Sequence, residues 1–189
     1  MQFIVIDGLD ASGKDTQAFR LSSFLKNNNK EVFLRIHPAG DNFFGVNAKR
    51  FLLSKGKSAH FASAIFYMMD VIRSILYYAW RKYDYIVFVR YLMGTAYLPS
   101  PIHKIAYWFF GCIVTKSNTM FFLDITPEEA YRRIRLRHEI HEMFEDFGEL
   151  RKVRAKALSL ALADKWAIIN ADQSAEQVEL EIRRHLFAN

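Results

Sequence analysis

Apolar positions along this chain follow two alternating rhythms. Five short runs rich in apolar residues, Phe3-Ile4-Val5-Ile6, residues 32–36, Tyr85-Ile86-Val87-Phe88-Val89, residues 119–123 and residues 166–170, have the length and β-branched or aromatic content of strands, and 85–89 is continuous, as in a central strand. Between them, apolar residues recur at steps of three and four. Residues 14–26 carry Ala18, Leu21, Phe24 and Leu25 at helical spacing and stop at Asn27-Asn28-Asn29. Residues 60–82 carry Phe61, Ala64, Ile65, Met68, Ile72, Leu76 and Ala79, the spacing of a buried helix stripe. Further helices are predicted over about 103–115, after Pro99-Ser100-Pro101, and over 149–163 and 175–186. Thr126-Pro127-Glu128-Glu129 opens another, with Thr126 as N-cap, Pro127 at the first helical position and Glu129 at the capping-box position. Strands alternating with helices predict an α/β fold, a parallel five-stranded sheet with helices on both faces and right-handed crossovers.

The other face of the 60–82 helix holds Phe66, Tyr67, Asp70, Arg73, Ser74 and Tyr77, which sets an aromatic ring, a carboxylate and a guanidinium about one turn apart. Two readings stand side by side: a clasp for a nucleobase and a phosphate, or a helix-surface Asp-Arg pair beside core aromatics. The turn-rich segment His37-Pro38-Ala39-Gly40-Asp41-Asn42 leaves the second strand at its C-terminal end, the edge where open parallel sheets bind ligands. Arg90, just past the third strand, is a site candidate for the same reason. Residues 138–148 have weak periodicity and mix His, Glu and Phe; they read as a mobile lid. His138-Glu139-Ile140-His141 is one residue too short for the zinc-binding H-E-x-x-H pattern.

Between the first strand and the first helix lies Gly8-Leu9-Asp10-Ala11-Ser12-Gly13-Lys14-Asp15-Thr16. A strand feeding a glycine-bracketed turn into a helix N-terminus aims several backbone N–H groups at one point, where the helix dipole adds partial positive charge. Gly8 and Gly13 stand at the spacing of G-x-x-x-x-G-K-[ST], and Lys14 is placed to reach the outer phosphates. Asp15 departs from that pattern, because a Ser or Thr hydroxyl normally contacts Mg²⁺ there. A carboxylate is a good ligand for a hard cation but a poor neighbour for a triphosphate, so Asp15 is a candidate metal ligand; the alternative is an acid favoured in the first turn of a helix.

At 189 residues the chain is expected to form one domain, and a net charge of +6 fits either nucleic acid or a site holding several phosphates. Arg132, Arg133, Arg135 and Arg137 crowd one predicted helix with no nucleic-acid recognition motif beside them, which favours the phosphate site and ranks nucleic acid last. A single cysteine, Cys112, excludes an internal disulfide framework and is expected to be a buried small hydrophobe. With no signal pattern at the N-terminus, the cytoplasm is the expected location. No membrane span is expected: the apolar stretch 61–80 is interrupted by Asp70 and Arg73, and 105–115 is too short.

Ordered along nearly the whole chain, these segments resemble the thymidylate kinases, a family of P-loop nucleoside monophosphate kinases. Residues 8–17 are similar to the family's G-x-D-x-x-G-K-[ST]-T-Q, Phe66-Tyr67-Met68-Met69-Asp70 to F-x-x-D-R, and Val89-Arg90-Tyr91 to D-R-[YHF], with Thr95-Ala96-Tyr97 for the later A-Y. Residues 123–128, 133–137 and 169–174 resemble its strand end, lid entry and final turn. The resemblance implies a P-loop NTPase fold with a helical lid, and a homodimer whose interface could include the aromatic run 107–110 if that run is not core. It also implies transfer of the γ-phosphoryl group of ATP, with Mg²⁺, to a pyrimidine deoxynucleotide, dTMP before others. Lys14, Arg90 and a lid arginine, Arg133, Arg135 or Arg137, are then the catalytic cations. Asp10, Tyr67, Asp70, Arg90 and Tyr97 are the implied acceptor contacts, Asp10 at the deoxyribose and Tyr67 at the base.

Three departures fall in the implied site. Val71 replaces the substrate-phosphate arginine, Ile36-His37-Pro38 stands for R-E-P, and Val89 replaces the aspartate of D-R. Arg73 and Arg35 are the nearby substitutes; Arg73 shares a helix face with Asp70, whereas strand alternation turns Arg35 the other way. The carboxylate missing at Val89 reappears in the loop as Asp15, which suggests a relocated magnesium ligand. Two alternatives remain: a kinase for another nucleotide or a nucleoside, and an ATP-binding regulator without transfer activity.

Overall fold

A computed structural model describes residues 1–54, 57–78, 80–114, 117, 119–136 and 147–187. Five strands, β1 (Gln2–Gly8), β2 (Val32–Ile36), β3 (Tyr85–Val89), β4 (Thr119–Asp124) and β5 (Ala167–Asn170), form one parallel sheet in the order β2-β3-β1-β4-β5. β1 is central, with Ile6 opposite Val89 on one side and Phe121 on the other. The middle of β1, β3 and β4 is sealed on both faces, with Ile4, Val5, Ile6, Val87, Phe122 and Leu123 all at 0 % exposure, which explains why these strands read as continuous apolar runs.

The helices are α1 (Lys14–Asn27), α2 (Phe43–Leu52), α3 (Lys57–Tyr78), α4 (Ile102–Ile113), α5 (Pro127–Leu136), α6 (Phe147–Ala163) and α7 (Ala175–Phe187), and a 3₁₀ turn spans Met93–Tyr97. α5 starts as its sequence requires, with the Thr126 hydroxyl accepting from the Glu129 N–H. α1 docks on α7 through Gln17, which donates to the Ala175 carbonyl, and Arg20, which pairs with Glu176 and Glu179. No described helix is long and apolar enough to cross a membrane. Of the predicted lid, residues 138–148, positions 138–146 lie outside the described residues, and its last positions, Phe147 and Gly148, begin α6.

Three sequence expectations are corrected. α2 was hidden in what reads as a turn-rich segment; Asn42 caps it, its side-chain oxygen accepting from the Phe44 and Gly45 N–H groups at 3.0 and 3.1 Å. α3 is turned from the expected facing: Phe61, Ile65 and Leu76 are 53 %, 45 % and 67 % exposed, whereas Tyr67, Asp70 and Ser74 are buried; Met68 of the expected stripe stays buried and Tyr77 of the other face is exposed. Both faces of α3 are apolar enough for periodicity to fit either, and the inward choice follows from α2 and its entry loop, whose Ala39 N–H and Asn42 side chain donate to the Asp70 carboxylate at 2.7 Å each. Cys112 is exposed rather than buried, because it shares the open face of α4 with Ile105 and Phe109.

Candidate active site

The C-terminal edges of β1, β2 and β3 open into a cavity of about 440 Å³. Its floor is the phosphate loop, with Gly8, Asp10, Lys14 and Asp15; Arg90 and Tyr97 close one side, and His37, Lys49, Leu52, Leu53, Ser63, Ala64 and Tyr67 the other.

Close packing at Gly8 holds the loop against the sheet. A Cβ there would lie 2.6 Å from the Leu123 carbonyl oxygen and 2.8 Å from the Ser12 hydroxyl, so no side chain fits. The loop then turns through Ala11 and Gly13, at φ 61 and 83, into the first turn of α1. Lys14 is buried, and its ammonium donates to the Leu9 carbonyl at 2.7 Å and lies 3.6 Å from Asp10. Burial and the nearby Arg90 charge lower the Lys14 pKa. Burial opposes the charge of Asp10, but Lys14 and Arg90 outweigh it and hold this carboxyl below its usual range. The Tyr97 hydroxyl donates to Asp10 at 2.7 Å.

Behind the loop, Asp7 is fully enclosed and accepts from three N–H groups, those of Gly8 at 2.9 Å, Tyr91 at 2.7 Å and Met93 at 3.1 Å. It fixes the chain just after Arg90 relative to the phosphate loop. Arg90 itself adopts a left-handed backbone, φ 58, its N–H on the Ile6 carbonyl, and its side chain turns back over the loop to meet Asp15 with contacts of 2.7 and 3.3 Å. Burial works against the guanidinium charge, but Asp15 and Asp10 more than offset it and raise the Arg90 pKa.

Tyr67 lines the other side with its hydroxyl on the Tyr91 carbonyl, and Gly94 leaves room for the ring, since a Cβ there would sit 2.5 Å from it. His37 is fully buried. Its Nδ1 faces the Val89 carbonyl at 3.3 Å, its Nε2 has no hydrogen-bond partner among the described residues, and burial depresses its pKa to about 4.

Several sequence candidates lie elsewhere. Asp70, Arg35 and Arg73 are not among the described lining residues. Asp70 is consumed by the α2 entry loop; Arg35 runs under α3 to Asp41 at 2.7 Å and Ser74 at 3.3 Å, turned away as strand alternation implies; Arg73 lies over the Tyr77 ring at 5.5 Å. Arg133 reaches the back of the loop, donating to the carbonyls of Ala11 at 3.3 Å and Ala171 at 3.0 Å, with Glu129 taking its Nε–H. Arg135 lies over Tyr131 at 5.9 Å, and Arg137 falls outside the described residues. Among the unforeseen lining residues, Lys49 and Leu52 ride on α2 and Leu53 is its C-cap; the signal for them was Asn42 as a cap followed by Phe44, Ala48 and Phe51 at steps of four and three.

The family profile described as thymidylate kinase matches residues 6–182. This chain belongs to the thymidylate kinase family. Among the relatives of this family member, the thymidylate kinase of Plasmodium falciparum is 28 % identical over 193 residues, covering 96 % of the chain and 87 % of that protein. A probable thymidylate kinase of Pyrobaculum calidifontis is 29 % identical, with 95 % and 93 % covered. The solved thymidylate kinase of Candida albicans superposes on all of the chain and 92 % of its own with a TM-score of 0.80 at 20 % identity, so the fold is that of the P-loop nucleoside monophosphate kinases.

Proposed function

We propose that this family member transfers the γ-phosphoryl group of ATP to a pyrimidine deoxynucleoside monophosphate, dTMP first, giving ADP and the diphosphate. The observation that carries the reading is the junction of the phosphate loop with a cavity of nucleotide size that holds Lys14 and Arg90 on one side and an aromatic, aliphatic wall of Tyr67, Leu52, Leu53 and Leu98 on the other. The apolar end suits a base, the Asp10 and Tyr97 pair a sugar, and the cationic end the phosphates.

Phosphoryl transfer asks for positioning and charge neutralisation rather than a general base. Backbone N–H groups of residues 8–16 and the α1 dipole grip the triphosphate of ATP, and Lys14 exchanges Leu9 and Asp10 for the outer phosphates. Arg90 lies between donor and acceptor, where charge builds up during transfer. Lys49, with no partner among the described residues, is the remaining cation on the acceptor side where Val71 leaves no arginine. Arg133 braces the loop from behind. ATP arrives as its Mg²⁺ complex, and the ion supplies further neutralisation when bound. Asp15, the carboxylate at the loop position that could approach the ion, faces Arg90 at 2.7 Å. Such chemistry fits the cytoplasm, where the exposed Cys112 stays a thiol. A homodimer is also consistent, because Phe61, Ile65, Met69 and Leu76 form an exposed apolar stripe along α3.

A panel measuring ADP release from ATP and Mg²⁺ against the common monophosphates and nucleosides tests the reading. It predicts turnover with dTMP above all other acceptors. Turnover with nucleosides alone, or with none, overturns it.

A further inference from the structure

The ion pair between Asp15 and Arg90 lacks an explanation in stability. The two side chains are 44 % and 28 % exposed, and a pair this open adds little to stability. Its cost to function is plain, because Asp15 sets a carboxylate on the loop that must accept a triphosphate. What the pair does is geometric. Arg90 has a long side chain on a left-handed backbone at the end of β3, and Asp7 anchors the main chain around it through the Tyr91 and Met93 N–H groups. Nothing on β3 itself directs the guanidinium, since the residue before it, Val89, is apolar and fully buried. Asp15, one residue after Lys14, takes two of its nitrogens and turns the fork over the phosphate loop.

We propose that Asp15 is a positioning residue for Arg90, holding the guanidinium beside Lys14 for phosphoryl transfer, rather than a ligand for the magnesium ion. The proposal rests on the kinase reading above. It accounts for Asp15 and Val89 together: a carboxylate no longer stands at the strand end, and the one in the loop is turned to the arginine. It also removes the electrostatic objection, because the Asp15 charge is offset by Arg90 before a nucleotide arrives.

The test is a cycle of Asp15→Asn, Arg90→Ala and the double variant, with Asp15→Thr as an independent replacement and thermal melts to verify folding. Steady-state constants for dTMP and ATP, the Mg²⁺ activation constant, and calorimetric ATP affinity are the readouts. Loss of Arg90 is expected to lower kcat on the order of 10²-fold or more, and loss of Asp15 about 10-fold or more, by misplacing the same group. The double variant should be no worse than Arg90→Ala, because both remove one device. In Asp15→Asn and Asp15→Thr, ATP affinity in Mg²⁺ should stay equal or tighten, and the Mg²⁺ activation constant should hold within about 3-fold, since the triphosphate loses a repulsive neighbour and the ion loses no ligand. Multiplying losses in the double variant, or weakened MgATP binding with activity restored by extra Mg²⁺, overturns the proposal and makes Asp15 a metal ligand. With wild type inactive towards every acceptor, the kinase reading falls and takes this proposal with it; with wild type active and the cycle multiplicative, only the Asp15 assignment falls.

Discussion

His37 illustrates how one side chain ties chemistry to stability. Buried beside Phe88 with its Nδ1 on the Val89 carbonyl, it stays neutral in the folded protein down to a pKa of about 4, whereas the unfolded chain protonates it near 6.5. The unfolded state therefore binds the extra proton between those values, so this contribution to stability is complete above pH 6.5 and drains away as pH falls towards 4, by about 3 kcal/mol. Urea melts from pH 7.5 to 4 should show that decline, and His37→Phe should flatten it; an equal slope in both proteins would assign the pH dependence to other groups. Phosphate-loop residues were legible from spacing alone, because a nest of main-chain amides needs its glycines and lysine at fixed intervals. The partner of Asp15 was not. Loop and strand end are 75 residues apart; the pairing of β1 with β3 and the left-handed turn at Arg90 bring them together.

At the level of elements, β1, β3 and β4 were readable because burial on both faces leaves a continuous apolar run, and the half-exposed edge strands β2 and β5 from their short β-branched and aromatic content. α2 and the facing of α3 were not, and they share a cause. Asn42 caps α2 with its oxygen and donates to the buried Asp70 with its nitrogen, so one side chain fixes both helices. A polar residue that turns inward only because another element satisfies it leaves no period in the sequence. Asn42→Ala should therefore cost more than an ordinary cap, about 2–3 kcal/mol in a chemical melt, since it also strips a donor from a buried carboxylate. The same variant should raise the KM for dTMP while sparing that for ATP, because α2 carries Lys49, Leu52 and Leu53. An equal rise in both constants would mean that α2 does not line the acceptor end.

Over the whole molecule, Phe61, Ile65 and Leu76 of the α3 stripe that reads as core are left open to solvent, with Met69 beside them. Phe61, Ile65, Met69 and Leu76 repeat at helical spacing with 41–67 % exposure, more apolar surface than one helix of a monomer commonly shows. Ile65→Glu is predicted to shift sedimentation from dimer to monomer without lowering the melting temperature of the monomer; a wild type that sediments as a monomer would remove the dimer from the account. The cavity lies at the C-terminal edge of the sheet, where the phosphate loop, Arg90 and Tyr67 converge, and it is on this convergence that the enzyme reading stands.

Its most direct test is phosphorus NMR of ATP and dTMP with Mg²⁺, run with wild type and with Lys14→Met. The account predicts growing ADP and dTDP resonances with wild type and a rate lower on the order of 10²-fold or more with Lys14→Met. Unchanged ATP and dTMP spectra with a folded wild-type protein, or equal rates for the two proteins, would contradict it.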